Sequence, residues 1–328
     1  VSSVGSFADA ALDKRVSVGV ERVEEMLAAR AYSPEPLVAE AAAHLLLAGG
    51  KRFRPLLVMI CAEFGDPESP DVVPAAVVVE LTHLATLYHD DVMDEAAVRR
   101  GAPSVNARWD NSIAILVGDF LFARASSLVA DLGPDAVRVQ AETFARLVHG
   151  QIRETIGPRD GEDVLDHYLS VVADKTGSLI ATAARFGAMM SGAGPDVEAT
   201  LIEFGERIGA AFQLADDIID IASDSDDSGK VPGTDLREGV PTLPTLLVQR
   251  HRTGDDDRLV ELLSGPITNE EEVQWAIKAL RAHPAMDGAR DYVRAEANAA
   301  RDLLVKLPAG SARDALEELC VRATDRLG

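Results

Sequence analysis

A chain of 328 residues with 47% apolar and 26% charged side chains has globular usage and enough length for a large core. Its formal charge of −22 repels a polyphosphate backbone, which excludes a nucleic-acid partner and requires that any anionic substrate be met by local cations or metal ions. No run of eighteen uninterrupted apolar residues is present and the stretch VSSVGSFADAALDKR lacks a signal peptide's basic start and apolar middle, so the sequence predicts a cytoplasmic protein without a membrane span.

Apolar residues recurring at three- and four-residue intervals predict helices over 7–30, 35–48, 55–65, 71–93, 112–131, 135–156, 161–174, 177–191, 196–223 and 241–252. The same pattern continues over 256–264, 269–282, 285–306 and 310–327. Between them, LAGGKRFRP, FGDPESPD, RRGAPS, DLGPDA, SGAGPD, SGKVPGTD and SGPITN combine Gly or Pro with short polar residues, which is turn chemistry. No run alternates with period two. The expectation is a single all-α domain over 1–328, built as a helical bundle. Helix 71–93 is apolar almost all round through Val77, Val78, Val79, Leu81, Leu84, Leu87 and Tyr88, which makes it central. Phe204, Ile208, Ala211, Phe212, Leu214 and Ile218 mark 196–223 in the same way. Cys61 and Cys320 lie in apolar helical patterns without metal-type spacing and read as buried packing thiols.

Each of these central helices ends its apolar run in acids. LYHDDVMDE carries Asp90, Asp91 and Asp94, and QLADDIID carries Asp216, Asp217 and Asp220, both in the order D-D-x-x-D. Like charges one helical turn apart repel by roughly 0.2–0.5 kcal/mol per pair, so two copies in apolar surroundings call for a compensating cation. Oxygen donors without a cysteine or a histidine pair suit Mg²⁺ completed by substrate phosphates. Basic residues cluster nearby in a chain that holds only 32 of them against 54 acids: Lys51, Arg52 and Arg54 in GGKRFRP, Arg99 and Arg100 in RRG, then Lys175 in DKTGSL and Lys230 in SGKVPGTD. Arginine forks and lysine ammonium groups of this kind bind phosphate oxygens.

Taken in order, GGKRFRP, ELTHLATLYHDDVMDEAAVRRGAPS, GDFLFARA, DKTGSL, QLADDIID and GTDLREGVPTLP resemble the trans-type polyprenyl diphosphate synthases over about residues 45–250, while the N-terminal helices and the tail match only in helical character. The resemblance implies an all-α isoprenoid-synthase-type bundle with a central active-site cavity. It also implies a homodimer that condenses isopentenyl diphosphate with an allylic diphosphate, with three Mg²⁺ ions bridging the acidic clusters to the allylic diphosphate. By resemblance Asp90, Asp94 and Asp216 bind metal, and Asp91, Asp217 and Asp220 support them or act through water. Arg99, Lys175 and Lys230 match positions that clamp the allylic diphosphate, and Lys51, Arg54, His83 and Arg100 match those that hold isopentenyl diphosphate. His83 would otherwise read as a core histidine. Thr176 and Gln213 match positions whose oxygens lie near the allylic cation; Phe212 could pack on substrate or in the core. The released diphosphate is the implied base.

Product length, by the same resemblance, depends on the residues four and five before Asp90, which are the small Thr86 and Ala85. Leu81, Thr82, Val78 and Val79 lie deeper, and Phe120 and Phe122 on 112–131 are candidate stops. An open floor implies a long-chain product, of the quinone side-chain kind, that leaves toward a membrane and gives at most peripheral contact with it. Alternatives are a farnesyl- or geranylgeranyl-length product, or a terpene cyclase; Lys51, Arg54 and Arg100 with an all-Asp second cluster argue against a cyclase. One departure is Val240 in GVPTLP, where many relatives carry lysine. Such a loss also occurs in subunits of heterodimers, but those usually lack an acidic cluster. From another class, DSDDSGKVPGTD sets Asp224, Asp226, Ser228, Gly229 and Asp235 at EF-hand-like positions, against which stand the short Asp235 and the interrupting Pro232 and Gly233.

Overall fold

The protein is described by a computed structural model, which covers residues 6–222 and 232–325. Apart from one two-residue hairpin, the regular structure among these residues is helical, and two compact units divide the chain.

Unit 1 comprises 1–145, 179–205 and 305–316. Its helices are α1 (Ala10–Ala31), α2 (Pro36–Leu47), α3 (Phe53–Ala62), α4 (Val72–Met93), α5 (Val105–Arg108) and α6 (Asn111–Asp131), with the first part of α7 (Pro134–Ile156), α9 (Ser178–Ser191) from Leu179 on and the start of α10 (Pro195–Ala222). As expected from an apolar surface on every side, α4 is the core of this unit and packs on α1, α3 and α6. Val77, Val78, Leu81, Leu84 and Tyr88 are fully buried, and the Tyr88 hydroxyl donates to the Ala41 carbonyl of α2 at 2.6 Å. Helices α4 and α6 are long and apolar enough to cross a membrane by length and composition. Helix α4 is a core helix, whereas α6 leaves Ile115 and Leu116 exposed.

Unit 2 comprises 146–178, 206–304 and 317–328. It holds the rest of α7, α8 (Val164–Val172), the body of α10, α11 (Thr234–Glu238), α12 (Leu243–Arg250), α13 (Asp257–Leu262), α14 (Glu270–Ala282), α15 (Ala285–Leu303) and the end of α16 (Ser311–Asp325). In its core α12 packs on α8 and α15.

Three boundaries differ from the periodic reading. Helix α3 starts at Phe53 rather than 55, because Pro55 falls in the first turn, where an N–H has no intrahelical acceptor to lose. The expected break between 174 and 177 is a π turn over Ala173–Gly177, closed by Ser178 N–H to the Ala173 carbonyl, so α8 runs into α9. RRGAPS forms a hairpin, β1 (Val98–Arg99) against β2 (Ala102–Pro103), with Arg100 and Gly101 in its turn at φ 54° and 76°. Two positive φ values are what a two-residue hairpin with right-handed strand twist requires. Cys61 and Cys320 are buried and free.

Candidate active site

Within unit 1, α4 presents a half-buried stripe of His83, Thr86, Leu87 and Asp90, at helical spacing, with Asp94 exposed just beyond it. Asp91 turns the other way. It is fully buried, and its Oδ1 accepts from Arg99 Nε at 2.6 Å, while Oδ2 has no hydrogen-bond partner. Arg99 also approaches Asp94 at 3.7 Å. The first acidic motif therefore offers Asp90 and Asp94 outward and uses Asp91 to hold Arg99.

The cations around this stripe are fixed by backbone and by buried acids. Arg100 donates to the Leu45 and Gly49 carbonyls at 2.8 and 2.5 Å, which ties the hairpin turn to the end of α2. Arg52, the left-handed N-cap of α3, is buried and paired with Glu24 of α1 and with Glu80 of α4, the latter at 3.0 Å. The sequence singled out Arg52 as a phosphate-binding candidate alongside Lys51 and Arg54; its contacts make it a structural ion pair instead. A lone acid inside the apolar run VVVELTH was the signal for that pair. Arg54 keeps Nε buried without a partner, and burial lowers its pKa, with Glu80 opposing and Arg100 adding to the shift. Burial first, then Arg54, Arg100, Arg52 and Arg99, hold the His83 pKa well below its ordinary value, so His83 is a neutral donor and acceptor amid cations. Lys51 is exposed at the same turn.

In unit 2 the second motif repeats the pattern. Asp216 is exposed, whereas Asp217 is buried and bonded on both oxygens. Tyr168 donates its hydroxyl to Oδ2, Leu243 N–H at the start of α12 reaches the same atom at 3.3 Å, and Gln213 Nε2 reaches Oδ1 at 3.2 Å. Burial pushes the Asp217 pKa up to about 6 against these hydrogen bonds. The GVPTLP segment thus aims a helix N-terminus at a carboxylate. Asp220 accepts from the N–H groups of Thr234 and Asp235 at 3.2 and 3.3 Å and so caps α11. Thr176 donates to Gln213 Oε1 at 3.0 Å, and Lys175 is paired with Glu154 at 2.5 Å. Val240 is partly exposed, its N–H bonded to the Asp235 carbonyl at 2.9 Å.

Unit 1 therefore gathers Lys51, Arg54, His83, Ala85, Thr86, Asp90, Asp91, Asp94, Arg99 and Arg100, and unit 2 gathers Lys175, Thr176, Gln213, Asp216 and Asp217. Lys230 and most of the EF-hand-like loop lie outside the described residues. Tyr168 and Glu154 were not anticipated: both occupy amphipathic helices whose spacing looks like any packed surface. Among the described residues no three Asp, Glu, His or Cys side chains converge into a cage. In unit 1 the outward Asp90 and Asp94, and in unit 2 the outward Asp216, are oxygen donors of the kind that hold a hard cation through one or two carboxylates, with water and phosphate oxygens completing it.

The description "Polyprenyl synthetase" belongs to the family model that matches residues 35–280. A nonaprenyl diphosphate synthase of Mycobacterium tuberculosis is 50% identical over 98% of this chain and 96% of its own. A dimethylallyltranstransferase of the same organism is 42% identical over 96% of each. The crystal structure of a geranylgeranyl pyrophosphate synthase from Corynebacterium glutamicum, complexed with calcium and isoprenyl diphosphate, matches 99% of this chain and 100% of its own at a TM-score of 0.89 and 45% identity.

Proposed function

We propose, from the premise that the chain belongs to the polyprenyl synthetase family and is a prenyltransferase, that it condenses isopentenyl diphosphate with an allylic diphosphate to a long-chain all-trans polyprenyl diphosphate. The observation that carries this reading is the repeated division of labour in the two acidic motifs. One aspartate in each turns inward to fix a neighbour, Arg99 in one case and the Tyr168–Gln213 pair in the other, while Asp90, Asp94 and Asp216 stay outward. A calcium complex in the Corynebacterium relative supports a hard cation with diphosphate. A single catalytic domain fits units that interleave in sequence, each drawing on three separate stretches of chain.

Asp90, Asp94 and Asp216 would hold Mg²⁺, which when bound neutralises charge on the leaving diphosphate. Arg99, Lys175 and Lys230 clamp that diphosphate. The allylic C–O bond breaks with its electron pair on oxygen, and the Thr176 and Gln213 oxygens face the resulting cation with their lone pairs. Lys51, Arg54, His83 and Arg100 hold isopentenyl diphosphate, whose double bond supplies electrons for the new C–C bond. The proton then lost from carbon passes to the released diphosphate. With valine at 240, Lys230 is the lysine of that segment, and both acidic clusters are present, as a self-sufficient subunit needs.

Kinetics on each substrate separate the two diphosphate sites. Lys51→Ala or Arg54→Ala is expected to raise KM for isopentenyl diphosphate by roughly 10–100-fold, the worth of a charged hydrogen bond, with a smaller effect on the allylic substrate. Lys175→Ala is expected to act on allylic KM and on turnover. Reversed effects would mean that the site assignments are exchanged.

A homodimer is part of the same reading. Val148, Ile152 and Ile156 form an exposed apolar stripe at four-residue spacing on the unit 2 part of α7, which a second copy could cover. Ile152→Asp is expected to give a monomer by light scattering; a protein that is monomeric before the substitution, or dimeric after it, argues against this interface. Peripheral membrane contact of a cytoplasmic enzyme belongs to the same reading, since a long prenyl product is too apolar for water.

A further inference from the structure

Lys175 and Thr176 occupy the π turn over Ala173–Gly177, an insertion that breaks the ordinary helical bonding and persists only where neighbours hold it. One side chain does most of that holding. Arg146 of α7 donates from Nε to Asp174 Oδ1 at 3.0 Å and from Nη2 to the Ala173 carbonyl at 3.3 Å. The same guanidinium reaches Glu206 of α10 twice, at 2.5 and 3.2 Å. His149, one turn on, lies 3.2 Å from Asp174 Oδ2, and Ser178 Oγ donates to the Asp174 carbonyl at 2.6 Å. Glycines permit the approach: a Cβ on Gly150 would stand 2.9 Å from the Lys175 nitrogen, and one on Gly177 would stand 3.1 Å from Glu206 Oε2.

We propose that Arg146 is a positioning residue for the allylic-diphosphate site, locking the π turn so that Lys175 and Thr176 project from it in a fixed register. Thr176 meets Gln213 of α10, and Arg146 bonds Glu206 two turns earlier on the same helix, so one fork sets both the turn and its partner helix. Arg146 uses all three of its guanidinium nitrogens on a carboxylate of α10, a carboxylate in the turn and a turn carbonyl, whereas a lysine has its donors on a single nitrogen and cannot reproduce that rigid fork. The inference rests on the roles given above to Lys175 and Thr176.

Steady-state kinetics with farnesyl diphosphate and isopentenyl diphosphate on wild type, Arg146→Lys and Lys175→Ala test it, with circular dichroism melts of each. Arg146→Lys is expected to raise allylic KM and lower kcat, each by about tenfold, with KM for isopentenyl diphosphate held within about twofold. Its melting midpoint is expected to stay within about 4 °C of wild type. Should Arg146→Lys not fold, Asp174→Ala removes one arm of the fork and carries the same expectation. Unchanged allylic parameters, or equal shifts in both KM values, overturn the positioning role while Lys175→Ala still raises allylic KM. If Lys175→Ala leaves allylic KM unchanged, the reading of Lys175 falls and this inference with it.

Discussion

Asp90→Ala and Asp216→Ala are each expected to lower turnover by roughly 10²–10⁴-fold with the helical fold intact, because positioned charge supplies most of the barrier reduction in a reaction that expels diphosphate. A thousandfold loss corresponds to about 4 kcal/mol of transition-state stabilisation. The fold should survive because Asp216 is exposed and Asp90 half-buried. The inward aspartates offer the contrast. Asp91→Ala would strip the fully buried partner from Arg99, and Asp217→Ala would remove the acceptor of the Tyr168 hydroxyl, Gln213 Nε2 and the Leu243 N–H, so both should lower the melting midpoint as well as activity. Turnover and thermal melts on the four variants check this together. Near-normal turnover in Asp90→Ala or Asp216→Ala would remove the metal assignment, and unaltered melts in Asp91→Ala and Asp217→Ala would remove the distinction between outward and inward acids.

That distinction shows where sequence reading reaches and where it stops. Helical period and turn residues located α4 and α10, and the doubled D-D-x-x-D with clustered cations marked the residues to which the chemistry is assigned in the proposed reading, because each depends on spacing along one helix or one loop. Which cation is free for a ligand depends on partners far away in the chain. By charge and local spacing alone Arg52 and Arg54 look alike in GGKRFRP, yet Glu24 and Glu80 claim Arg52 and leave Arg54 Nε without a hydrogen bond. The π turn was read as a break between 174 and 177, whereas in the fold the chain stays helical there and Gly177 lets Glu206 approach. Glu154 and Tyr168 carry no local signal at all: their meaning comes from Lys175 and Asp217, which lie 21 and 49 residues later.

Thr86→Phe is expected to shorten the product sharply, from roughly six to ten isoprene units to a length set about 6 Å below Asp90, the rise of four helical residues. In the proposed reading a growing tail passes the side chains on the face of α4 that bears Asp90. Thr86 shares that half-buried face, while Ala85 is 1% exposed on the packed side of the helix. Position four is therefore expected to gate the tail more directly than position five, although both residues are small. Phe122 and Phe120 have partners of their own, Phe122 stacking on Phe144 at 4.1 Å between centroids and Phe120 lying under Arg124 at 4.7 Å. Relatives divide on the outcome, a nonaprenyl synthase at 50% identity against a geranylgeranyl synthase at 45%, so overall similarity does not decide chain length. Ala85→Phe should act less selectively, because a ring there displaces packed core before it meets substrate, and its melting midpoint should fall. Chromatography of dephosphorylated products from wild type, Thr86→Phe and Ala85→Phe reads the answer directly. A wild-type product as short as farnesyl or geranylgeranyl diphosphate would overturn the long-chain reading, and an unchanged distribution in Thr86→Phe would move the floor away from α4.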